Sequence, residues 1–220
     1  MRTIELDKDP RTEDQRIADE IRQKLRTHGV AALNLISSPG SGKTTLLEAS
    51  LPMLAQRLRV AVICADNATD NDSNRLKAAG VPVYQVCTGI TGCHLSAAAA
   101  RKSIESLDLD DLDLVIIENV GNLVCPAEED VGESFKVGMI SAAEGEDKPL
   151  KYPLLFQTAD LAIINKIDAA EALGADVDLL ESNIRKVNPN IETIRLSAKT
   201  GEGVDRWVDW VVSRVGDMKG

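Results

Sequence analysis

The segment "SSPGSGKTT", Ser37 to Thr45, follows an apolar run. A phosphate loop reads Gly, four residues, then Gly-Lys-Ser/Thr. Gly42, Lys43 and Thr44 fill the second half of that pattern, Gly40 adds freedom, and Ser37 stands at the first glycine position. Such a loop converges its backbone N–H groups on phosphate oxygens and opens into a helix N-terminus, which favours anions. The spacing assigns Pro39, Gly40, Ser41, Gly42, Lys43, Thr44 and Thr45 to nucleotide phosphates. Lys43 is expected to neutralise the β- and γ-phosphates, and the Thr44 hydroxyl to ligate Mg²⁺.

A second motif suits a base. "IINKID" carries Asn165, Lys166 and Asp168 at the end of another apolar run. The Asp168 carboxylate offers two acceptor oxygens. Guanine presents two adjacent donors to them, whereas adenine would leave the carboxylate unpaired. The Lys166 stem can lie over the base while Asn165 braces neighbouring loops. One strand later "LSAK" places Ser197 and Ala198 to offer backbone N–H groups to guanine O6. GTP or GDP is therefore the expected nucleotide.

Two further apolar runs end in acids, Asp66 in "VICAD" and Glu118 in "VIIEN". Carboxylates at those ends can bind Mg²⁺ or hold its waters. Glu118 and Gly121 have the spacing of a GTPase switch, in which Gly121 would donate its N–H to the γ-phosphate and lose that contact on hydrolysis. Asp66 is either an outer-shell Mg²⁺ ligand or a water-orienting group. Asp70 and Asp72 read as acids of a helix first turn.

Four cysteines remain. Cys64 and Cys87 lie in apolar strands and read as core thiols. Cys93 stands beside His94 in "TGCHLS", at an expected helix start that would favour the thiolate. Adjacent helical residues diverge, so this pair alone makes a poor tetrahedral site. Cys125 offers a third ligand, and a two-fold copy could complete a site for one or two ions. From the residues alone, a metal trio and structural thiols both stand.

These groups need a scaffold. Runs at 31–38, 60–65, 81–87, 112–117, 135–141, 161–165 and 191–196 are mostly continuously apolar, which marks strands buried on both faces. Helical patterns at 42–57, 70–79, 95–107, 150–158, 173–187 and 204–215 alternate with them, and a polar amphipathic helix precedes them at about 11–28. The expected fold is α/β: one P-loop domain over residues 1–220, with a mostly parallel seven-stranded sheet and helices on both faces. Ligands then bind at the carboxyl ends of the strands, where all these motifs fall. A net charge of −10 argues against nucleic acid and anionic membranes. No apolar run approaches the roughly 18 residues of a membrane span. A cytoplasmic location, with reduced thiols, is expected.

Together, "SSPGSGKTTLLE", "TGCHLS", "ENVGNLVCP", "FKVGMISAAEGEDKPLKYP", "ADLAIINKID" and "LSAKTGEG" resemble the hydrogenase nickel-incorporation GTPases, the HypB family, over almost the whole chain. Urease nickel-insertion GTPases carry Cys-Pro-His in this region, whereas here Cys125-Pro126 is followed by Ala127. The resemblance implies a G-domain of the SIMIBI class that dimerises on GTP and helps deliver Ni²⁺ to nickel–iron hydrogenase precursors. It implies Cys93, His94 and Cys125 as interface ligands for Ni²⁺ or Zn²⁺. It also implies that Lys148 reaches the partner copy's nucleotide and joins Lys43, Asp66 and Glu118 as a catalytic group. The partners it implies are a small zinc-containing nickel chaperone, HypA, and the hydrogenase large-subunit precursor.

The chain departs from the family twice. Its N-terminus lacks the histidine-rich stretch or cysteine motif of many members, so nickel storage is not expected. The phosphate loop lacks the extra lysine that several SIMIBI relatives place near Ser38. With no evident arginine in cis, slow turnover is expected, and Lys148 is a candidate for transition-state charge. Three rivals stand beside this reading: a GTPase that recruits proteins with purely structural thiols, a urease-type nickel-insertion GTPase, and an ATP-dependent small-molecule kinase.

Overall fold

The computed structural model describes residues 12–66, 71–89 and 92–219, with the backbone alone at 71 and 72. Asp70 and the side chain of Asp72 lie outside the described residues. Seven strands run β1 Ala31–Ser37, β2 Val60–Asp66, β3 Val83–Cys87, β4 Leu114–Glu118, β5 Phe135–Ser141, β6 Leu161–Asn165 and β7 Glu192–Arg195. They form one sheet in the order β3-β2-β4-β1-β5-β6-β7. Every pairing is parallel. The expected seven-stranded α/β fold is what forms. The phosphate-loop strand β1 is central, with three strands on either side.

Ten α-helices lie among the described residues: α1 Glu13–Thr27, α2 Lys43–Leu54, α3 Asn71–Lys77, α4 Ala97–Glu105, α5 Cys125–Glu128, α6 Lys148–Lys151, α7 Pro153–Thr158, α8 Ala170–Leu173, α9 Val177–Val187 and α10 Val204–Asp217. α1 is started by a capping box in which Thr12 and Gln15 satisfy each other's backbone N–H. Its Ile17, Ala18, Ile21 and Leu25 recur at helical spacing and are buried. Ile17, Ile21 and Leu25 join a core with α4 residues such as Ala100 and Ile104 on one face of the sheet. On the other face, α2 and α10 cover Leu33, Leu35 and Val62. Trp207 of α10 is fully buried, and its Nε1 donates to Ser50 Oγ of α2 at 3.3 Å. The helix that begins at the phosphate loop is thereby anchored along its length. A third core, with Phe156, Leu180 and Ile184, fills the space beneath α7 and α9.

Differences from the sequence reading have local causes. β3 starts at Val83 rather than at residue 81, since Pro82 has no N–H to give the ladder. The helix expected over 150–158 is two helices divided at Pro153, which can begin a helix but not continue one. The helix expected over 173–187 is also two. Gly174, at φ +65°, ends α8, and Asp176 caps α9 through a 2.9 Å bond from Leu179 N–H. α4 begins at Ala97, capped by Ser96, so Cys93 and His94 precede the helix rather than start it. α5 was not expected.

Candidate functional site

The first half of the site surrounds the phosphate loop. A cavity of about 480 Å³ opens there, lined by Gly42, Lys43, Thr44, Asp66, Glu118 and Gly121 among others. Gly42 adopts φ +101°, and a Cβ on it would lie 2.6 Å from Asn165 Nδ2, so the position requires glycine. Lys43 is nine-tenths buried, and its ammonium donates to Ser37 Oγ at 2.9 Å. The departure at Ser37 thus has a use: its hydroxyl receives the lysine. Thr44 Oγ1 donates to Glu118 Oε1 at 2.6 Å, and the Cys64 thiol faces Glu118 Oε2 at 3.5 Å. The Thr44 hydroxyl and the Glu118 and Asp66 carboxylates are hard oxygen donors on one wall, a set that fits Mg²⁺. Cys64 is buried, as expected of a core thiol, yet it also lines the cavity; Cys87 is exposed at the end of β3, contrary to expectation.

Sequence reasoning missed a cavity residue. Arg75 of α3 lines the same space. Its guanidinium bonds Glu48 at 2.9 and 2.5 Å and Thr45 Oγ1 at 3.2 Å. An arginine in cis is therefore present beside the phosphate site. Nothing in its local sequence marks it, because only the tertiary approach of α3 to α2 brings it there.

The base end lies beyond β6 and β7. Asn165 braces two loops, as expected: Nδ2 donates to Ser41 O at 2.8 Å, and Oδ1 accepts from Ala198 N–H at 3.0 Å. Lys166 donates to Gly40 O at 2.7 Å from a left-handed backbone at φ +61°. That conformation costs a non-glycine residue about 1–3 kcal/mol and persists where surroundings enforce it, often at functional sites. Asp168 is exposed, and its Oδ1 accepts from Ser197 Oγ at 2.6 Å. The backbone N–H groups of Ser197 and Ala198 are engaged within the chain, by Glu202 O at 2.9 Å and by Asn165 Oδ1 at 3.0 Å. The Ser197 hydroxyl aims the Asp168 carboxylate. Lys148 stands outside its own chain's cavity, its ammonium 5.4 Å from the centre of the Tyr152 ring.

The second half is a thiol cluster. Cys93, His94 and Cys125 bring one ligand atom each to within 4.8 Å of one another. Cys93 Sγ lies 3.2 Å from His94 Nδ1. In a tetrahedral zinc site, a sulfur and a nitrogen ligand are about 3.5 Å apart, given bonds of roughly 2.3 and 2.0 Å. The trio therefore fits a soft or borderline cation with little rearrangement. The adjacent pair converges because it precedes α4 and escapes helical divergence. The expected lowering of the Cys93 thiol by a helix terminus does not occur. Its bond with Cys125, then burial, pushes it up, so a metal must displace the proton.

Two asparagines connect the halves. Asn119 Oδ1 accepts from Leu95 N–H at 3.1 Å while its Nδ2 donates to Asn34 of β1. Asn122 Nδ2 donates to Cys93 O at 3.2 Å. Between them Gly121 packs so tightly on the phosphate loop that a Cβ would lie 2.9 Å from Pro39 Cα. One loop thus touches the phosphate cavity, carries Cys125 and holds the segment of Cys93. No helix among the described residues is long and apolar enough to cross a membrane.

Known proteins resemble the chain in sequence and in fold. Residues 31–195 match the family model "CobW/HypB/UreG, nucleotide-binding domain". The chain is 46% identical over 210 residues to the hydrogenase maturation factor HypB of Azotobacter chroococcum, covering 96% of this chain and 68% of that one. It is 39% identical over 216 residues to the probable hydrogenase maturation factor HypB of Methanocaldococcus jannaschii, covering 98% and 97%. The crystal structure of HypB from Helicobacter pylori in complex with nickel superposes with a TM-score of 0.88 at 32% identity, covering 94% of this chain and 96% of that one.

Proposed function

Because the chain belongs to the CobW/HypB/UreG nucleotide-binding family, and within it to the hydrogenase maturation factors HypB, we propose that it is a GTP-hydrolysing metallochaperone of the cytoplasm that helps insert nickel into hydrogenase precursors. The observation that carries this reading is the Gly121–Cys125 loop, which packs on Pro39 and bonds the Cys93 carbonyl through Asn122. Asp168, aimed by Ser197, reads guanine. Lys43 leaves Ser37 for the β- and γ-phosphates. Thr44, Asp66 and Glu118 would hold Mg²⁺, which when bound neutralises charge on those phosphates. Gly121 N–H turns to the γ-phosphate and loses it on hydrolysis, and Asn122 carries that displacement to Cys93. Cys93, His94 and Cys125 take Ni²⁺ or Zn²⁺ as cargo, since thiolate and imidazole disfavour Mg²⁺.

Two copies close on GTP, so that their trios share one interface and Lys148 of each approaches the other's nucleotide. The nickel chaperone HypA and the hydrogenase large-subunit precursor are the expected partners. Equilibrium dialysis with Ni²⁺ and Zn²⁺ tests the reading, using the wild type and a Cys93→Ala/Cys125→Ala variant loaded with GDP or a non-hydrolysable GTP analogue. Metal binding is expected to disappear in the variant while nucleotide affinity stays within about two-fold, a change smaller than one typical hydrogen bond. Equal metal binding by the two proteins overturns the metallochaperone reading. Light scattering is expected to show a doubled mass with the analogue relative to GDP.

A further inference from the structure

One carboxylate beside the thiol cluster has no role in the trio. Glu129 follows α5, the short helix that begins at Cys125. Its Oε1 accepts a 2.8 Å hydrogen bond from the N–H of Ala97, the first residue of α4. Its Oε2 lies 3.8 Å from Nε2 of His94. The side chain is only 19% exposed, and that of His94 29%. The other ring nitrogen of His94, Nδ1, is the one 3.2 Å from Cys93 Sγ. The imidazole is thus oriented end to end, one nitrogen toward the sulfurs and the other toward a carboxylate.

That orientation has a chemical consequence. A neutral imidazole ligates through the nitrogen without a proton and carries the proton on the other. A carboxylate facing the protonated nitrogen fixes that tautomer and makes the ligating nitrogen more basic. Glu129 also spans the two chain segments that supply the ligands: Cys93 and His94 lie just before α4, and Cys125 opens α5. We propose that Glu129 is the positioning residue of the metal site, holding His94 so that Nδ1 is its ligand atom and clamping the two ligand-bearing segments together. This rests on the metal reading of the trio. The competing role for Glu129 is to satisfy the α4 N-terminus and nothing more.

Glu129→Gln separates the two roles. The glutamine carbonyl can still accept from Ala97 N–H, but its amide presents a donor to His94 Nε2. That contact favours the tautomer with the proton on Nδ1, the wrong one for ligation. The experiment uses the full chain loaded with GDP and titrated with Zn²⁺ against a competing chelator. Long-range proton–nitrogen spectra of its two histidines are recorded with and without metal. In the wild type His94 is expected to carry its proton on Nε2 and to bind Zn²⁺ through Nδ1. Glu129→Gln is expected to move the proton to Nδ1 and weaken Zn²⁺ binding by about 10- to 100-fold, with its thermal midpoint near that of the wild type. In a His94→Ala background the same substitution should weaken Zn²⁺ binding no further. An unchanged tautomer with unchanged affinity, or ligation through Nε2 in the wild type, overturns the role of Glu129 alone. A wild type that binds no Zn²⁺ overturns the metal reading and this inference with it.

Discussion

The two flanks of the central strand β1 are built differently. On one side, β6 leads to Asn165 and Lys166, and these bond the phosphate loop itself: Asn165 to Ser41 O and Lys166 to Gly40 O, both under 3 Å. On the other side, β2 and β4 lead to Asp66, Glu118 and the thiol cluster. There Glu118, at the end of β4, accepts from Thr44 Oγ1 at 2.6 Å, but the loop beyond it meets the phosphate loop through a packing contact, Gly121 against Pro39, and continues through Asn119, which accepts from Leu95 N–H, and Asn122, which donates to Cys93 O. Hydrogen bonds to backbone carbonyls hold a geometry. A backbone-to-backbone packing contact separates when one side shifts. On the proposed function, the identity of the nucleotide would be read by the flank bonded to the phosphate loop, and its phosphate state by the loop able to part from it.

The sharpest test of that division is Asp168→Ala. It should abolish guanine discrimination, lowering the preference for GTP over ATP by roughly 10⁴-fold, while Zn²⁺ affinity in the GDP state stays unchanged; competition binding with both nucleotides measures it. A loss of metal binding would mean that the flanks are one unit. A smaller effect is expected from Asn122→Ala, which removes a local bond from Val124 N–H and the one bond to Cys93 O, the latter worth about 0.5–1.5 kcal/mol. The ratio of metal affinities between GDP and GTP-analogue states should shrink by about 2- to 10-fold, with nucleotide binding intact. The smallest effect concerns the bonded flank alone. Burial pushes Glu181 of α9 up, but hydrogen bonds from Thr193, Arg185 and Arg195 overcome it and hold the carboxyl at about 2, against an ordinary 4.5. An acid lowered by folding stabilises above its unfolded value and loses that contribution as pH falls toward its folded one. Glu181→Gln should therefore lower the thermal midpoint at pH 7 by about 2–4 °C at most, as for an exposed pair. The gap should close between about pH 4.5 and pH 2, with metal affinity unmoved throughout.

Much of the scaffold was legible because a parallel sheet buried on both faces writes itself as apolar runs. Phe135–Ser141 and Leu161–Asn165 coincide with the expected strands residue for residue. The phosphate-loop glycines and Asn165 were legible because their geometry leaves few substitutes. Less legible were features set by tertiary approach. Arg75 reaches the cavity only because α3 packs beside α2. The bonds that Glu202 and Asn165 make to the N–H groups of Ser197 and Ala198 are likewise set by the fold. The convergence of Cys93 with His94 depends on where α4 begins, and Ser96, two residues past His94, is the cap that decides it. An earlier start, taking both residues into the helix, would make the two side chains diverge.

Ser37 has a last consequence, for how the loop would answer a substitution. A buried ammonium needs polar company, and the Ser37 hydroxyl supplies some of it to Lys43 from within the loop itself. A glycine at this position, as the general pattern has it, would remove that acceptor. The hydroxyl and a phosphate compete for one ammonium, so the serine subtracts from nucleotide affinity whatever it gives to the lysine.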